Sequence, residues 1–334
     1  MNFLFLYAFK PEKMKRILSI LALAIISLGA VAQEKRMAVV EFSTSYLRLK
    51  PDYESPLETQ ELMGTIVKVT GEKGYWREIV SPQPYQAWVT EKGLVEMSDA
   101  ELEAYRQAPK VMFTDLYGHV YSWPSVKAET VCDLVGGNIM RVIPEVRDMD
   151  SAGRSLKSKA RKKDWTQVML PSGKTGWVQS GSIAKHNGFR SIAKGEGNSE
   201  SVSEQETEQI IAQAVRLAGV PYLWGGMSAS GLDCSGLVRL CYLMHGILLP
   251  RNASQQISCG DKVPSGIENL RRGDLVFFGT PATENRKQRV THVGIYLGNN
   301  HIIHASQVVR INSLLPSDAD YYENSHRLLG ATRL

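Results

Sequence analysis

Three side chains of this sequence have the types and spacing for nucleophilic catalysis: Cys234, His292 and His304. Cys234 stands in "GLDCSGLVRL", between Asp233 and Ser235, where a glycine-broken loop gives way to an apolar run with helical spacing. At the head of a helix, unpaired backbone N–H groups and the positive end of the macrodipole favour a thiolate, lowering a pKa that starts at about 8.5. The same N–H groups face whatever the sulfur attacks, so the Cys234 backbone is a natural half of an oxyanion hole. The competing reading is a buried cysteine acting as a small hydrophobe. Position alone does not separate the two for Cys234, whereas Cys241, deep in the apolar face, fits the second.

A base must come from elsewhere in the chain. His292 opens the strand-like "HVGIYLG" and His304 closes the polar part of "HIIHAS"; folded about Gly298, the two fall nearly opposite each other across a hairpin. One imidazole can take the thiol proton while the other orients the first. His301 belongs near the turn, in solvent. A zinc set of His292, His301 and His304 has geometry against it, because His301 and His304 point to opposite faces of a strand. No C-x-x-C is present, and no metal or organic cofactor is expected.

The elements that must hold these residues are legible in outline. Ser203 with Glu206 forms a capping box, and Ile210, Ile211, Ala214, Val215 and Ala218 recur on one face until Gly219 and Pro221 stop the helix. A second helix starts at Cys234 and carries Leu237, Val238, Leu240, Cys241, Leu243 and Met244. Short apolar strands follow, so residues 208–334 read as an α+β unit, helices first and then an antiparallel sheet.

The first half carries a repeat. Trp76 and Trp88 have the same separation as Trp165 and Trp177, each pair set among short β-rich runs broken by Gly and Pro. These read as two small antiparallel barrels, over residues 37–107 and 108–185. Within the second, Arg154, Lys157, Lys159, Arg161, Lys162 and Lys163 form a basic run that reads as a solvated loop, with a grip on anionic wall polymer as the alternative. "PSGKT" at 171–175 lacks the first glycine of a phosphate-binding loop, Val168 standing in its place. Residues 186–207 are polar, Gly/Ser-rich and unpatterned, and read as a linker.

A chain of 334 residues exceeds what one core accommodates, so several domains are expected. Its 43% hydrophobic and 22% charged residues are globular values, and a net charge of +5 with no nucleic-acid-binding motif argues against a nucleic-acid partner. "MKRILSILALAIISLGAVAQ" has a basic start, a short apolar stretch and a small-x-small end, which predicts a signal peptide over residues 1–32 with the mature start near Gln33. The expected product is exported to the periplasm or cell envelope, without stable membrane insertion, and monomeric. Cys132, Cys234, Cys241 and Cys259 are too few for a disulfide scaffold. On one helix, Cys234 and Cys241 stand roughly 10 Å apart, beyond disulfide reach.

The motifs "PYLWGG", "LDCSGLV", "LPRNASQQ", "GDLVFF", "HVGIYLG" and "IIHAS", in this order over residues 210–334, resemble the NlpC/P60 family of papain-like cysteine peptidases that cut bacterial cell-wall peptides. The Trp-pair segments resemble bacterial SH3-like domains. The resemblance implies a multidomain fold: two SH3-like barrels, then a papain-like α+β catalytic domain. It makes Cys234 the nucleophile, His292 the base and His304 the polar third member. With the SH3-like domains ahead, the chain is similar to the γ-D-glutamyl-L-diamino acid endopeptidases (dipeptidyl-peptidase VI), which release L-Ala-γ-D-Glu from murein peptides. On that likeness Tyr222 and Trp224 form an aromatic wall, Asp233 and Ser235 flank the nucleophile, and the acidic neighbour helps hold the substrate's free amine. Tyr117 and Glu61 are the residues assigned to the SH3-like contact with substrate. Two readings of other classes stay open: a wall-binding protein whose catalytic domain is inert, and an amidase or acyltransferase on the same scaffold.

Overall fold

A computed structural model describes residues 36–82, 85–144, 164–192 and 201–334. The signal segment and the basic run at 154–163 lie outside these residues. Residues Met37–Leu334 form one compact unit.

The first half contains two seven-stranded sheets. The first comprises β1 (Arg36–Val40), β2 (Thr44–Arg48), β3 (Leu57–Leu62), β4 (Ile66–Lys73), β5 (Trp76–Val80), β6 (Gln86–Thr90) and β7 (Leu94–Met97), in the order β3-β2-β6-β5-β4-β1-β7. Helix α1 (Asp99–Gln107) follows, closed at its start by a capping box between Ser98 and Glu101. The second sheet comprises β8 (Lys110–Phe113), β9 (Tyr117–Tyr121), β10 (Thr130–Val135), β11 (Ile139–Val142), β12 (Trp165–Met169), β13 (Thr175–Gln179) and β14 (Ile183–His186), in the order β10-β9-β13-β12-β11-β8-β14. Strand for strand, the two orders are the same. The register repeats too: Trp88 opposes Glu78 and Arg48, while Trp177 opposes Gln167 and Tyr121. The tryptophan repeat is therefore a repeat of hydrogen-bonded pairing.

The expectation of two small antiparallel barrels is met as two antiparallel sheets, without closure among the described residues. Each ladder runs between two different edges, β3 to β7 and β10 to β14, and no pairing joins those edges among the described residues. Edge β3 packs instead beside the segment Met227–Ser228, where the Met227 N–H donates to Gln60 Oε1 at 2.7 Å.

Within the span read as a linker, β15 (Arg190–Ser191) pairs in parallel with β18 (Ile247–Leu248), and Ile192 is buried in the main core. Helix α2 (Glu204–Arg216) begins at Ser203 with the expected capping box. A two-stranded ribbon, β16 (Met227–Ser228) and β17 (Gly231–Leu232), leads into α3 (Cys234–Leu243), all of whose residues are buried. A short α4 (Ala253–Gln256) precedes a six-stranded sheet. Its strands are β19 (Asp261–Val263), β20 (Leu275–Thr280), β21 (Arg289–Gly298), β22 (His301–Ser306), β23 (Val308–Ser313) and β24 (Leu328–Arg333), in the order β19-β24-β20-β21-β22-β23.

The main core joins α2 and α3 to this sheet through Leu237, Val238, Leu240, Phe277, Val293 and Ile303. Each such side chain contributes roughly 1.5–3 kcal/mol on burial, enough in sum to pin the ends of α3 against the sheet. Met112, Val135 and Ile139 of the second sheet join the same core. No helix among the described residues is long and apolar enough to cross a membrane.

Candidate active site

Asp233 is the N-cap of α3, and its Oδ1 accepts from the Gly236 N–H at 2.7 Å. The first turn must lie close to the preceding loop, because a Cβ at Gly236 would meet the Gly226 carbonyl oxygen at 2.0 Å. That approach fixes the start of α3, and Cys234 with it, against the loop that carries Gly226. The Cys234 thiol receives hydrogen bonds from the backbone N–H groups of Val293 and Ser235, which seats the sulfur against β21 beside His292.

The two histidines are diagonal rather than opposite. Register pairs Ile295 with Ile303 and Tyr296 with Ile302, with a shift between Tyr296 and Gly298. Gly294 therefore lies against His304, where a Cβ would meet His304 Cβ at 3.2 Å. The missing side chain leaves room for the rings to meet: His292 Nε2 and His304 Nδ1 are 2.7 Å apart.

The chain of bonds continues to Asn312 on β23. Asn312 Nδ2 donates to the Asp320 carbonyl at 2.6 Å, so its Oδ1 accepts, from His304 Nε2 at 2.9 Å. With that hydrogen on Nε2, neutral His304 accepts at Nδ1 from His292 Nε2–H. His292 is left with an unprotonated Nδ1 as its basic atom. Tyr322 walls the pair, its ring centroid 5.5 Å from that of His292 and 4.6 Å from that of His304.

Burial works against the expected thiolate. Burial, reinforced by the charge of Asp233, pushes the Cys234 thiol up to about 11. Burial also depresses His292 to about 3, with His304 adding to the fall, and depresses His304 to about 4. A helix terminus contributes about 0.3–1 kcal/mol, and burial moves a pKa by several units, so burial wins. The resting pair is a thiol beside a neutral imidazole, and its charges become favourable only when formed together.

Asp233 and Ser235 are occupied by protein partners. Asp233 accepts from Gly225 N–H at 2.9 Å, Ser235 Oγ at 3.1 Å, and Arg251 Nη1 and Nη2 at 3.0 and 2.5 Å. Arg251 also donates to Ser235 Oγ at 2.9 Å and, from Nε, to Thr59 Oγ1 of β3 at 2.7 Å. This buried arginine ties the first sheet to the start of α3. In the sequence it stands within the motif "LPRNASQQ", with no sign there of its partners Asp233 and Thr59.

Of the aromatic residues, Tyr222 is half-buried and pushed up to about 12 by burial and the charges of Cys234 and Asp233, so it borders the sulfur. Trp224 is 66% exposed in the adjoining loop. Tyr117 lies on β9, 58% exposed, with its ring against His119. Glu61 is 5% exposed and faces the charge of Arg239. The first sheet brings different residues to the cleft: Tyr85 donates to Glu58 Oε2 at 2.7 Å and feels the charges of Arg251 and Asp233. Glu58 adjoins the Trp224 loop, since a Cβ at Gly225 would meet its carbonyl oxygen at 3.0 Å. No sequence pattern singles out Glu58, Tyr85, Tyr322 or Asn312.

Residues 219–327 match the NlpC/P60 family. The chain is 29% identical over 276 residues to a gamma-D-glutamyl-L-lysine dipeptidyl-peptidase of Bacillus cereus, covering 80% of this chain and 72% of the relative. It is 26% identical over 290 residues to dipeptidyl-peptidase 6 of Lysinibacillus sphaericus, covering 83% and 91%. In fold it resembles the crystal structure of an NlpC/P60 family protein from Bacillus cereus, with a TM-score of 0.68 at 23% identity over 89% of this chain and 99% of the other.

Proposed function

From a chain that carries an NlpC/P60 domain over residues 219–327, we propose a cysteine peptidase that hydrolyses the bond between γ-D-glutamate and an L-diamino acid in murein peptides, releasing L-Ala-γ-D-Glu. The observation that carries this reading is the ordered path Asn312–His304–His292 ending beside a helix-start cysteine.

His292 Nδ1 takes the Cys234 proton as the sulfur attacks the carbonyl carbon of γ-glutamate. The oxyanion is met by the Cys234 N–H and, from the side, the Tyr222 hydroxyl. His292 returns the proton to the departing amine, leaving a thioester on Cys234. Water, deprotonated by the same ring, then releases the dipeptide. His304 holds the His292 ring and its tautomer and shares the imidazolium charge. No step calls for a metal or cofactor.

The two sheets are read as SH3-like modules over residues 37–107 and 108–185, ahead of a catalytic domain at 208–334. Shared strand order and register support that reading. The first module caps the cleft. Asp233 being filled by Arg251, the partner for the substrate's N-terminal ammonium is Glu58, held by Tyr85. A carboxylate at the mouth suits an ammonium that must leave water, so a free L-Ala is required. Export through the segment at 1–32 would place the enzyme in the envelope, on wall fragments.

Mass spectrometry of products from L-Ala-γ-D-Glu-diaminopimelate, free and N-acetylated, tests the reading. Cleavage of the free tripeptide to L-Ala-γ-D-Glu and diaminopimelate is expected, with none of the acetylated form. Binding without cleavage would instead favour an inert wall-binding protein, and transfer to an added amine an acyltransferase.

A further inference from the structure

A concavity lies where α1, β3, β11 and α3 meet. It has a volume of about 580 Å³ and is lined by neither Cys234 nor His292 nor His304. That size falls within the range of roughly 300–1,000 Å³ typical of small-molecule sites. Its walls are largely apolar, through Ile66, Ile139, Leu243 and Leu248.

Two buried charges interrupt them. Arg239, 2% exposed, donates from Nη1 to the Leu249 carbonyl, and its Nε has no partner among the described residues. Glu61, 5% exposed, feels the Arg239 charge. A guanidinium withdrawn from water and left partly unpaired is costly, and an anion supplied from outside offsets that cost. Basic side chains predominate: Arg106, Lys110 and Lys185 line the cavity, Arg106 within 3.9 Å of Glu103, and Glu61 is the one carboxylate among its lining residues. His186 also lines the wall, where burial and Lys110 lower its pKa.

We infer that this cavity is a second ligand site, built for a compact anion with an apolar body. The sulfonated dye 1-anilinonaphthalene-8-sulfonate has that chemistry. Uncharged N-phenyl-1-naphthylamine presents nearly the same body without the charge.

Fluorescence titration of the full chain with each dye tests the site. The sulfonate is expected to saturate one site with about ten-fold higher affinity than the neutral dye, a preference worth about 1.4 kcal/mol. Charge reversal at the rim, R106E with K185E, falls on exposed side chains and should erase that preference while leaving the neutral dye unchanged. Ala108→Trp, which places an indole into the cavity, should abolish saturable binding of both. A saturating murein tripeptide on the Cys234→Ala variant should displace neither dye, separating this site from the proposed peptidase cleft. Equal affinity for the two dyes, sulfonate binding unaffected by R106E/K185E, or no saturable binding would overturn the inference.

Discussion

The two sheets of the first half share strand order and register, yet they meet the rest of the molecule differently. Where the second sheet has Val131, Cys132, Asp133 and Leu134, the first has Glu58, Thr59, Gln60 and Glu61 at the matching places of its edge strand. In the first sheet Thr59 accepts from Arg251 and Gln60 from the Met227 N–H, and Glu58 accepts from Tyr85. In the second, Asp133 accepts from Ser43 at 2.6 Å and Asn138 donates to the Ser43 carbonyl at 2.8 Å, so those contacts go to the first sheet. The first sheet bonds to the segments flanking α3, and its copy bonds to the first sheet. Pairing geometry is shared through the backbone, and the division of labour comes from four side chains on one edge.

The strongest way to break this comparison is to remove the proposed nucleophile, which both sheets would leave unsupported. Cys234→Ala is expected to lower kcat/KM for the free tripeptide by about 10⁴-fold or more, measured by product mass spectrometry. Next in size is the contrast between the sheets. Glu58→Gln or Tyr85→Phe should lower kcat/KM for the free-amine tripeptide by about 10- to 100-fold, chiefly through KM. Tyr117→Phe, on the second sheet, should leave it unchanged; equal losses on both sheets would erase the distinction.

Asn312→Ala should cost about ten-fold or more in kcat with little change in KM, because it releases the His304 tautomer that orients His292. Asn312→Asp should shift the acid limb of the kcat profile upward, as a carboxylate stabilises the imidazolium. A separate effect concerns stability. His292 and His304 are held neutral, at about 3 and about 4 against 6.5 for an exposed ring, so the unfolded chain takes up their protons first. Stability is full above pH 6.5 and should fall below it, down to about pH 4 for His304 and about pH 3 for His292, by on the order of 1 kcal/mol per pH unit for each ring. Urea midpoints at several pH values, compared with a His304→Gln variant, would show a shallower slope once that ring is gone.

Much of this architecture is legible in local sequence patterns. The capping box at Ser203, the helix begun at Cys234 and the paired tryptophans all depend on residues a few positions apart. The grouping of Cys234 with the histidine hairpin follows from the same patterns. What escaped depends on long-range encounters. Arg251 joins Asp233 and Thr59, Asn312 is placed by the β22–β23 register, and Glu58 lies far in sequence from the loop it meets. Burial works against the expected thiolate for the same reason, since a helix start is visible in sequence and the depth of a sulfur is not. The diagonal placement of His292 and His304 turned on a register shift near Gly298 that alternation alone does not reveal.

The most direct test is rapid-quench mass spectrometry of the intact enzyme during turnover of L-Ala-γ-D-Glu-diaminopimelate. A hydroxylamine-labile L-Ala-γ-D-Glu adduct on the peptide containing Cys234 is predicted, accumulating and decaying within the steady state. Turnover at an undiminished rate by Cys234→Ala, or an acyl group mapped to another residue, would contradict it.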